Sequence, residues 1–273
     1  MLMVNIWPLA IIAVLVVSAA PLEEQDQIVE SKGYPYATEG LGPSFKTQPQ
    51  EGRVFKRSVA KEISKALFKE ATPLLTHMAG STLMKGMAQN TIAKPKFYDF
   101  LGQDSIHLKN GENILRETAN LLKSSPADLP FFDMYTKQAD KYQLSYNAID
   151  GQLMSEANVN PMNIKPDSAT EAYHEFLIKV SRAHPRLLVF AFLPCSQSFR
   201  FIANQLWEET QDPVYKKFFA ANMRGMGYRS DLEKFIDDRF PLDSLERELF
   251  KDIKEIYLEG MEQEENFIDH AAL

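Results

Sequence analysis

The chain has 273 residues, of which 45% are hydrophobic, 25% charged and 11% aromatic, a composition typical of a packed globular protein. Lys and Arg total 30 against 37 Asp and Glu, and the resulting net charge of -7 argues against nucleic-acid binding and against a polybasic membrane-binding surface. The single cysteine excludes an intramolecular disulfide framework and a zinc site built from several thiolates.

The first 20 residues have the pattern of a signal peptide. Leu9–Val17 is an unbroken apolar run, shorter than the roughly 20 residues that cross a bilayer. The small residues Ser18, Ala19 and Ala20 follow it and suit cleavage by signal peptidase. We therefore predict a signal peptide over residues 1–20, secretion of the mature protein, and no membrane partner after cleavage. No Lys or Arg precedes the apolar run, so an uncleaved anchor is the alternative.

Residues 21–53 are polar, rich in glycine and proline, and without a sustained period, which predicts an extended N-terminal arm. From residue 54 to the C-terminus, apolar residues recur at three- and four-residue spacing and strand signals are essentially absent. We predict one all-α domain over residues 54–273, with seven or eight helices and short loops. The turn signals are Asn90-Thr91, Ser124-Ser125-Pro126, Asn160-Pro161, His184-Pro185, Asp212-Pro213 and Phe240-Pro241-Leu242-Asp243.

Polar residues in phase with an apolar helix face are candidates for function. Residues three or four apart share a face, so such a group points into the core and must be paired or take part in chemistry. Asp104 follows Phe97 and Leu101 in this way, and Tyr173 is in phase with Leu177.

Two further candidates lie nearer the C-terminus. Cys195 is at the centre of an apolar stripe that runs from Leu188 to Leu206, and Pro194 directly before it should kink the helix. Glu264 shares a face with Tyr257. A carboxyl group in such a position is desolvated, which raises its pKa and suits acid–base chemistry.

Each candidate also has a purely structural interpretation. A lone cysteine or tyrosine on an apolar helix face is usually part of the core, and inward carboxylates are often paired with Lys or Arg. A thiol, a phenol and two carboxyls aimed inward from different helices together favour an active site.

Several short motifs follow one another along the helical region. They are Met87–Phe97, the Gln103-Asp104 pair after Tyr98, Ala172–Leu177, Phe192-Leu-Pro-Cys195, Pro213-Val-Tyr215 and Glu264-x-x-Phe267. Their order and spacing resemble the TenA (thiaminase II) family, over roughly residues 54–271. The resemblance implies a haem-oxygenase-like helical bundle with an enclosed pocket. It also implies hydrolysis of thiamin or an aminopyrimidine derivative to hydroxymethyl-pyrimidine.

The same resemblance implies a role for each candidate residue. Cys195 would be the nucleophile that adds to the pyrimidine ring, and Glu264 the general acid and base. Asp104 would hydrogen-bond the edge of the aminopyrimidine, and Tyr173 would support the cysteine or the ring. The family's chemistry needs no metal or organic cofactor, and its usual assembly is a homo-oligomer.

Two pocket positions differ from the usual pattern of the family. His107 and Phe199 stand where a tyrosine is common, so we expect both to contact the substrate in a remodelled pocket. A changed pocket with retained thiol and carboxyls is consistent with altered substrate choice. Hydrolysis is the leading interpretation, and the alternative is a secreted protein that binds a small ligand without turnover.

A metal-dependent oxidase on the same fold is a third possibility. Asp104-x-x-His107 and Glu171-x-x-His174 each have the spacing that can chelate one metal ion. However, Glu171 and His174 share their helix surface with Glu175 and Arg182, which favours a solvated face over a metal site.

Overall fold

The computed structural model describes residues 62–225 and 227–271, which belong to one compact unit, Ala60–Leu273. The predicted signal peptide (1–20) and arm (21–53) lie outside the described residues. Within the described part the chain forms α-helices and no strand, which confirms the all-α prediction. No helix there is both long and apolar enough to span a bilayer.

Ten α-helices follow one another in the described chain, more than the seven or eight predicted. The segment before Asn90 is three short helices, because the chain breaks at Ala71, just before Pro73 in the first turn of α2, and at Ser81, directly after Gly80. The helices are α1 (Ile63–Glu70), α2 (Thr72–Gly80), α3 (Thr82–Ala88), α4 (Lys94–Leu122), α5 (Leu129–Gln152), α6 (Ser168–Ala183), α7 (Leu188–Leu206), α8 (Pro213–Asn222), α9 (Asp231–Arg239) and α10 (Arg247–His270).

Side-chain caps define where several helices begin. Asp167 accepts a hydrogen bond from the Thr170 N–H at the start of α6, at 2.7 Å, and Asp212 caps α8 in the same manner. Ser230 and Glu233 form a capping box at the start of α9. The cap of α6 fixes the phase in which that helix presents its inner face to α4 and α10.

Helix α7 lies at the centre of the core. Every residue from Leu188 to Pro194 is buried, as expected for a helix that is covered on all sides. Helix α7 packs against α2, α6, α8, α9 and α10, while α4 and α5 form a hairpin that contacts α6 through α4. The inner faces of α4, α5, α6, α7 and α10 therefore meet in the same region of the bundle.

Helices α7 and α10 approach closely at Gly260. A Cβ atom at Gly260 would lie 2.9 Å from Cγ of Pro194 and 3.4 Å from the carbonyl oxygen of Ala191. Only glycine leaves room for the proline ring there. Helix α7 continues through Pro194 to Leu206, so the residue that follows the proline, Cys195, is held against α10.

Candidate active site

The thiol of Cys195 lies near two polar side chains from other helices. Its sulfur and a carboxyl oxygen of Glu264 on α10 are within 4.8 Å of each other. Hydrogen bonding with Glu264 and with the hydroxyl of Tyr142 on α5 is among the influences on the pKa of the thiol, after burial. Cys195 and Tyr142 keep part of their accessible surface, so they border an inner space of the bundle.

Glu264 is held in place by a phenol on α6. The hydroxyl of Tyr173 donates a hydrogen bond of 2.7 Å to Oε1 of Glu264, and both side chains are only 1% exposed. This hydrogen bond joins α6 to α10 close to the Cys195 thiol on α7. Burial makes the Glu264 carboxylate more basic than usual, so its ionised form is a suitable proton acceptor for the thiol.

Asp104 and His107 enter the site from α4, one turn apart. Asp104 is partly exposed, and its charge acts on both Glu264 and Cys195, so it faces the same enclosed space. His107 is buried, and its ring lies 4.4 Å from that of Tyr173, centroid to centroid. The structure therefore brings together Asp104, His107, Tyr173, Cys195 and Glu264, and their roles toward a substrate stay predictions.

Phe199 is one turn beyond Cys195 on α7 and belongs to an aromatic layer beside the site. Its ring contacts those of Phe100 and Phe218, at centroid distances of 6.3 and 6.0 Å. Phe100 in turn contacts Phe267, which lies 5.8 Å from the ring of His107. Phe199 thus supports the pocket wall through Phe100, and its contact with a substrate stays a prediction.

Burial dominates the electrostatics of the site. It raises the pKa of Asp104 to about 7 and, together with the Asp104 charge, that of Glu264 to about 8, despite the hydrogen bonds from Tyr173 and Cys195. Burial and the charges of Glu264 and Asp104 raise the pKa of the Cys195 thiol. Burial also lowers the pKa of His107 to about 3, which keeps its imidazole neutral. The two carboxyls can exchange protons near neutral pH, as acid–base catalysis requires.

The raised pKa of Glu264 predicts a contribution to stability that is lost as the pH rises. The folded protein keeps a proton on Glu264 that the unfolded chain has released, so this contribution to the free energy of unfolding falls by about 1.4 kcal/mol per pH unit between the two pKa values, 4.5 and about 8. The lowered pKa values of His107 and His174 act in the opposite direction, so the difference between variant and parent is the informative quantity. In urea denaturation, the stability of Glu264→Gln relative to the parent should therefore increase with pH across this range, whereas Glu175→Gln at the exposed surface of α6 should follow the parent. Equal slopes for all three proteins would contradict the assignment.

Tyr142 is a candidate functional residue that the sequence interpretation missed. It follows Tyr135 and Ala139, both fully buried, at seven- and three-residue spacing on α5. This spacing places Tyr142 on the buried face of α5, by the same helical phase that indicates Tyr173. Hydrogen bonding from its hydroxyl is one influence on the pKa of the Cys195 thiol.

Gly111 on α4 has no side chain, which leaves room for the ring of Tyr142. A Cβ atom there would lie 2.8 Å from Cε2 of the Tyr142 ring and 3.3 Å from Phe192. We expect Gly111→Ala to displace Tyr142 and to lower the free energy of unfolding by about 1 to 2 kcal/mol, after allowing for the helix propensity of alanine. In urea denaturation, the control Gly151→Ala on α5, where nothing lies within 4 Å, should be neutral or stabilising. If both variants changed the free energy of unfolding in the same direction, the close contact at Gly111 would be contradicted.

The structure corrects the prediction that His174 lies on a solvated face. His174 is 8% exposed, stacks on His107 at 5.6 Å, and its Nδ1 shares a hydrogen bond of 2.8 Å with the amide nitrogen of Asn110. It is in phase with the buried Thr170 and Leu177, which places it at the edge of the inner face of α6. Glu171 is exposed, so it does not share a metal site with His174.

Comparisons with known proteins agree with this fold. The sequence profile of the TENA/THI-4/PQQC family matches residues 77–273. A TenA homologue from P. horikoshii OT3 is 16% identical, with a TM-score of 0.62, covering 77% of this chain and 98% of that one. A TenA homologue from Pyrococcus furiosus is 17% identical, with a TM-score of 0.62, covering 76% and 98%. A proposed TenA-like thiaminase from Sulfolobus solfataricus P2 is 15% identical, with a TM-score of 0.55, covering 76% and 94%. No sequence among the curated proteins matches significantly.

Proposed function

Because the chain belongs to the TENA/THI-4/PQQC family, we propose that it hydrolyses a C–N bond of thiamin or of an aminopyrimidine derivative by covalent catalysis. The observation that carries this proposal is the proximity of the Cys195 thiol to the Glu264 carboxyl group, within 4.8 Å, together with the 2.7 Å hydrogen bond from Tyr173 that holds that carboxyl group in place. A thiol with an adjacent base, inside an enclosed pocket, is the arrangement of an activated nucleophile. A likeness to a proposed TenA-like thiaminase adds support.

The first step needs a thiolate, and Glu264 is placed to form it. Its carboxylate accepts the S–H proton of Cys195, and the sulfur then forms a C–S bond with an electron-poor carbon of the pyrimidine ring. The Tyr142 hydroxyl donates to the sulfur and stabilises its negative charge. Glu264 then carries the proton that the leaving group requires.

Asp104 orients the ring for this attack. A carboxyl group that faces the pocket can accept a hydrogen bond from the exocyclic amine and share a proton with the adjacent ring nitrogen. The pKa of about 7 makes this sharing favourable near neutral pH, and a protonated ring is more electrophilic. The rings of His107 and Phe267 provide flat walls beside the substrate.

The second half of the reaction replaces the leaving group with water. For an amine leaving group, Glu264 protonates the departing nitrogen as the C–N bond breaks; the thiazolium group of thiamin leaves as neutral thiazole, and Glu264 then releases its proton to solvent. The Glu264 carboxylate next accepts a proton from the water that attacks the exocyclic methylene carbon. The C–S bond breaks and that proton restores the thiol. One water is consumed, and the products are hydroxymethyl-pyrimidine and a free amine, or hydroxymethyl-pyrimidine, thiazole and one proton.

The proposal is tested by incubating the full chain with thiamin and, separately, with aminomethyl-pyrimidine. We expect release of hydroxymethyl-pyrimidine in at least one reaction, measured by chromatography, and a transient protein–pyrimidine adduct in intact-mass spectra of quenched samples. Asp104→Asn should weaken release, and Asp99→Asn on the exposed face of the same helix should not. If neither compound is cleaved but either raises the melting temperature, the protein binds pyrimidines without turnover and the hydrolase proposal is wrong.

A further inference from the structure

Three potential metal ligands from three helices converge in the pocket. The ligand atoms of His107 on α4, Cys195 on α7 and Glu264 on α10 all lie within 4.8 Å of one another. In a tetrahedral zinc site, such atoms are about 3.5 Å apart, with metal–ligand bonds of roughly 2.0 to 2.3 Å. Side-chain rotations that move each atom by about 1 Å are enough to bring the three groups to this spacing.

His107 supplies an independent sign that a ligand belongs here. It is 2% exposed, and both Nδ1 and Nε2 lack a hydrogen-bond partner in the described structure. A buried imidazole with two unpaired nitrogens costs free energy that a ligand would recover. A neutral imidazole has one ring nitrogen with a free lone pair, which is the form that binds metal ions.

The charge distribution of the pocket also suits a cation. Asp104, Cys195 and Glu264 are three acidic groups in a desolvated space, and in the described chain no Lys or Arg contributes to the pKa shifts of Asp104 or Glu264. A divalent cation would offset the negative charge that appears when these groups lose their protons. Histidine and thiolate ligands select a thiophilic ion over Mg²⁺ or Ca²⁺.

We propose that this pocket binds one thiophilic divalent cation of the zinc class through His107, Cys195 and Glu264, with a fourth position left open. Tyr173 and Tyr142 already donate hydrogen bonds to Glu264 and to the Cys195 sulfur, so two of the three ligands have supporting donors around them. Zn²⁺ binding replaces the S–H proton, which passes to solvent.

Such a site has a consequence for catalysis, which rests on the proposed function. A Cys195 sulfur bound to a metal ion cannot add to a pyrimidine ring, so the cation and the covalent chemistry exclude each other. The cation would therefore act as an inhibitor that competes with the substrate for the thiol. The chelator EDTA should then raise the hydrolysis rate of protein loaded with Zn²⁺.

The test is a titration of the metal-free full chain with Co²⁺, followed by displacement with Zn²⁺. Cys195 is the only cysteine in the sequence, so a thiolate-to-cobalt charge-transfer band reports this site alone. We expect the band to saturate at one Co²⁺ per chain and to disappear with Zn²⁺. His107→Gln should weaken Co²⁺ binding about 100-fold, since it removes one of three ligands.

The matched control is His77→Gln. His77 lies on the surface, with its Nδ1 atom 2.7 Å from Oε1 of Glu265, and this pair could hold an adventitious ion. This variant should leave the band unchanged. The proposal is overturned if the parent shows no thiolate band at saturating Co²⁺, or if both histidine variants bind equally well. A band without hydrolysis would reject only the proposed function, and hydrolysis without a band would reject only the metal site.

Discussion

Cys195→Ser is expected to lower the rate of hydroxymethyl-pyrimidine release by about 10⁴-fold or more, the scale seen when an enzyme loses its nucleophile. A serine hydroxyl has nearly the same shape, but it is far less acidic than a thiol, and the Glu264 carboxylate cannot deprotonate it to a useful extent. The fold should be kept, because serine fits the same space and still hydrogen-bonds Glu264. The measurement is single-turnover release by chromatography, together with the melting temperature.

The matched control is Ser198→Ala, one turn further along α7. Ser198 is buried, and its hydroxyl donates to the backbone carbonyl of Cys195 at 3.2 Å, so it lies close to the thiol without facing the pocket. This variant should keep its activity within a few-fold of the parent. A Cys195→Ser protein with the parent's rate would show that sulfur is not the nucleophile.

Glu233→Ala is expected to lower the free energy of unfolding by about 3 to 5 kcal/mol, because it leaves the charge of Arg200 buried without a partner. The guanidinium donates two hydrogen bonds of 2.7 Å to the carboxylate, and Gln197 donates a third at 2.9 Å. These bonds outweigh the effect of burial and lower the pKa of Glu233 to about 2. The carboxylate thus stays ionised, and urea denaturation at neutral pH measures the loss.

Two comparisons make this result specific. Glu259→Ala breaks the solvent-exposed pair with Lys179, whose nitrogen and oxygen are 3.5 Å apart, and should cost less than about 1 kcal/mol. The double variant Arg200→Met/Glu233→Leu should recover part of the stability that Glu233→Ala loses, since no unpaired charge remains. Equal losses for Glu233→Ala and Glu259→Ala would show that the inner pair is not effectively buried.

The helical phase predicted much of the site. Asp104, Tyr173, Cys195 and Glu264 stand out because each polar group lies on an apolar face of a long, periodic helix, and a core must satisfy such groups. The structure joins the last three by hydrogen bonds that no one-dimensional pattern contains. Partner choice depends on which helices are neighbours, and this is a property of the packed bundle.

The same pattern was less informative at helix edges and in short helices. His174 lies beside exposed acidic residues, and its burial follows from the stacking on His107 across α4 and α6. The breaks at Ala71 and Ser81 are marked only by a lone Pro73 and a lone Gly80, which are weaker turn signals than the paired ones at Asn90-Thr91 and beyond. In each case tertiary packing decides between local alternatives of similar energy.

The tight contact at Gly260 has a mechanical consequence for the pocket. Glu264 is one turn beyond Gly260 on α10, and Cys195 directly follows Pro194 on α7. Both reacting groups therefore lie next to the close contact between these two helices. Any separation of the two helices would open a void against the proline ring, which close-packed interiors resist. Asp104 and Tyr142 belong instead to the α4–α5 hairpin. We expect the α4–α5 hairpin to move outward to accommodate bulkier substrates. The distance between the Cys195 sulfur and the Glu264 carboxylate should stay constant from one substrate to the next.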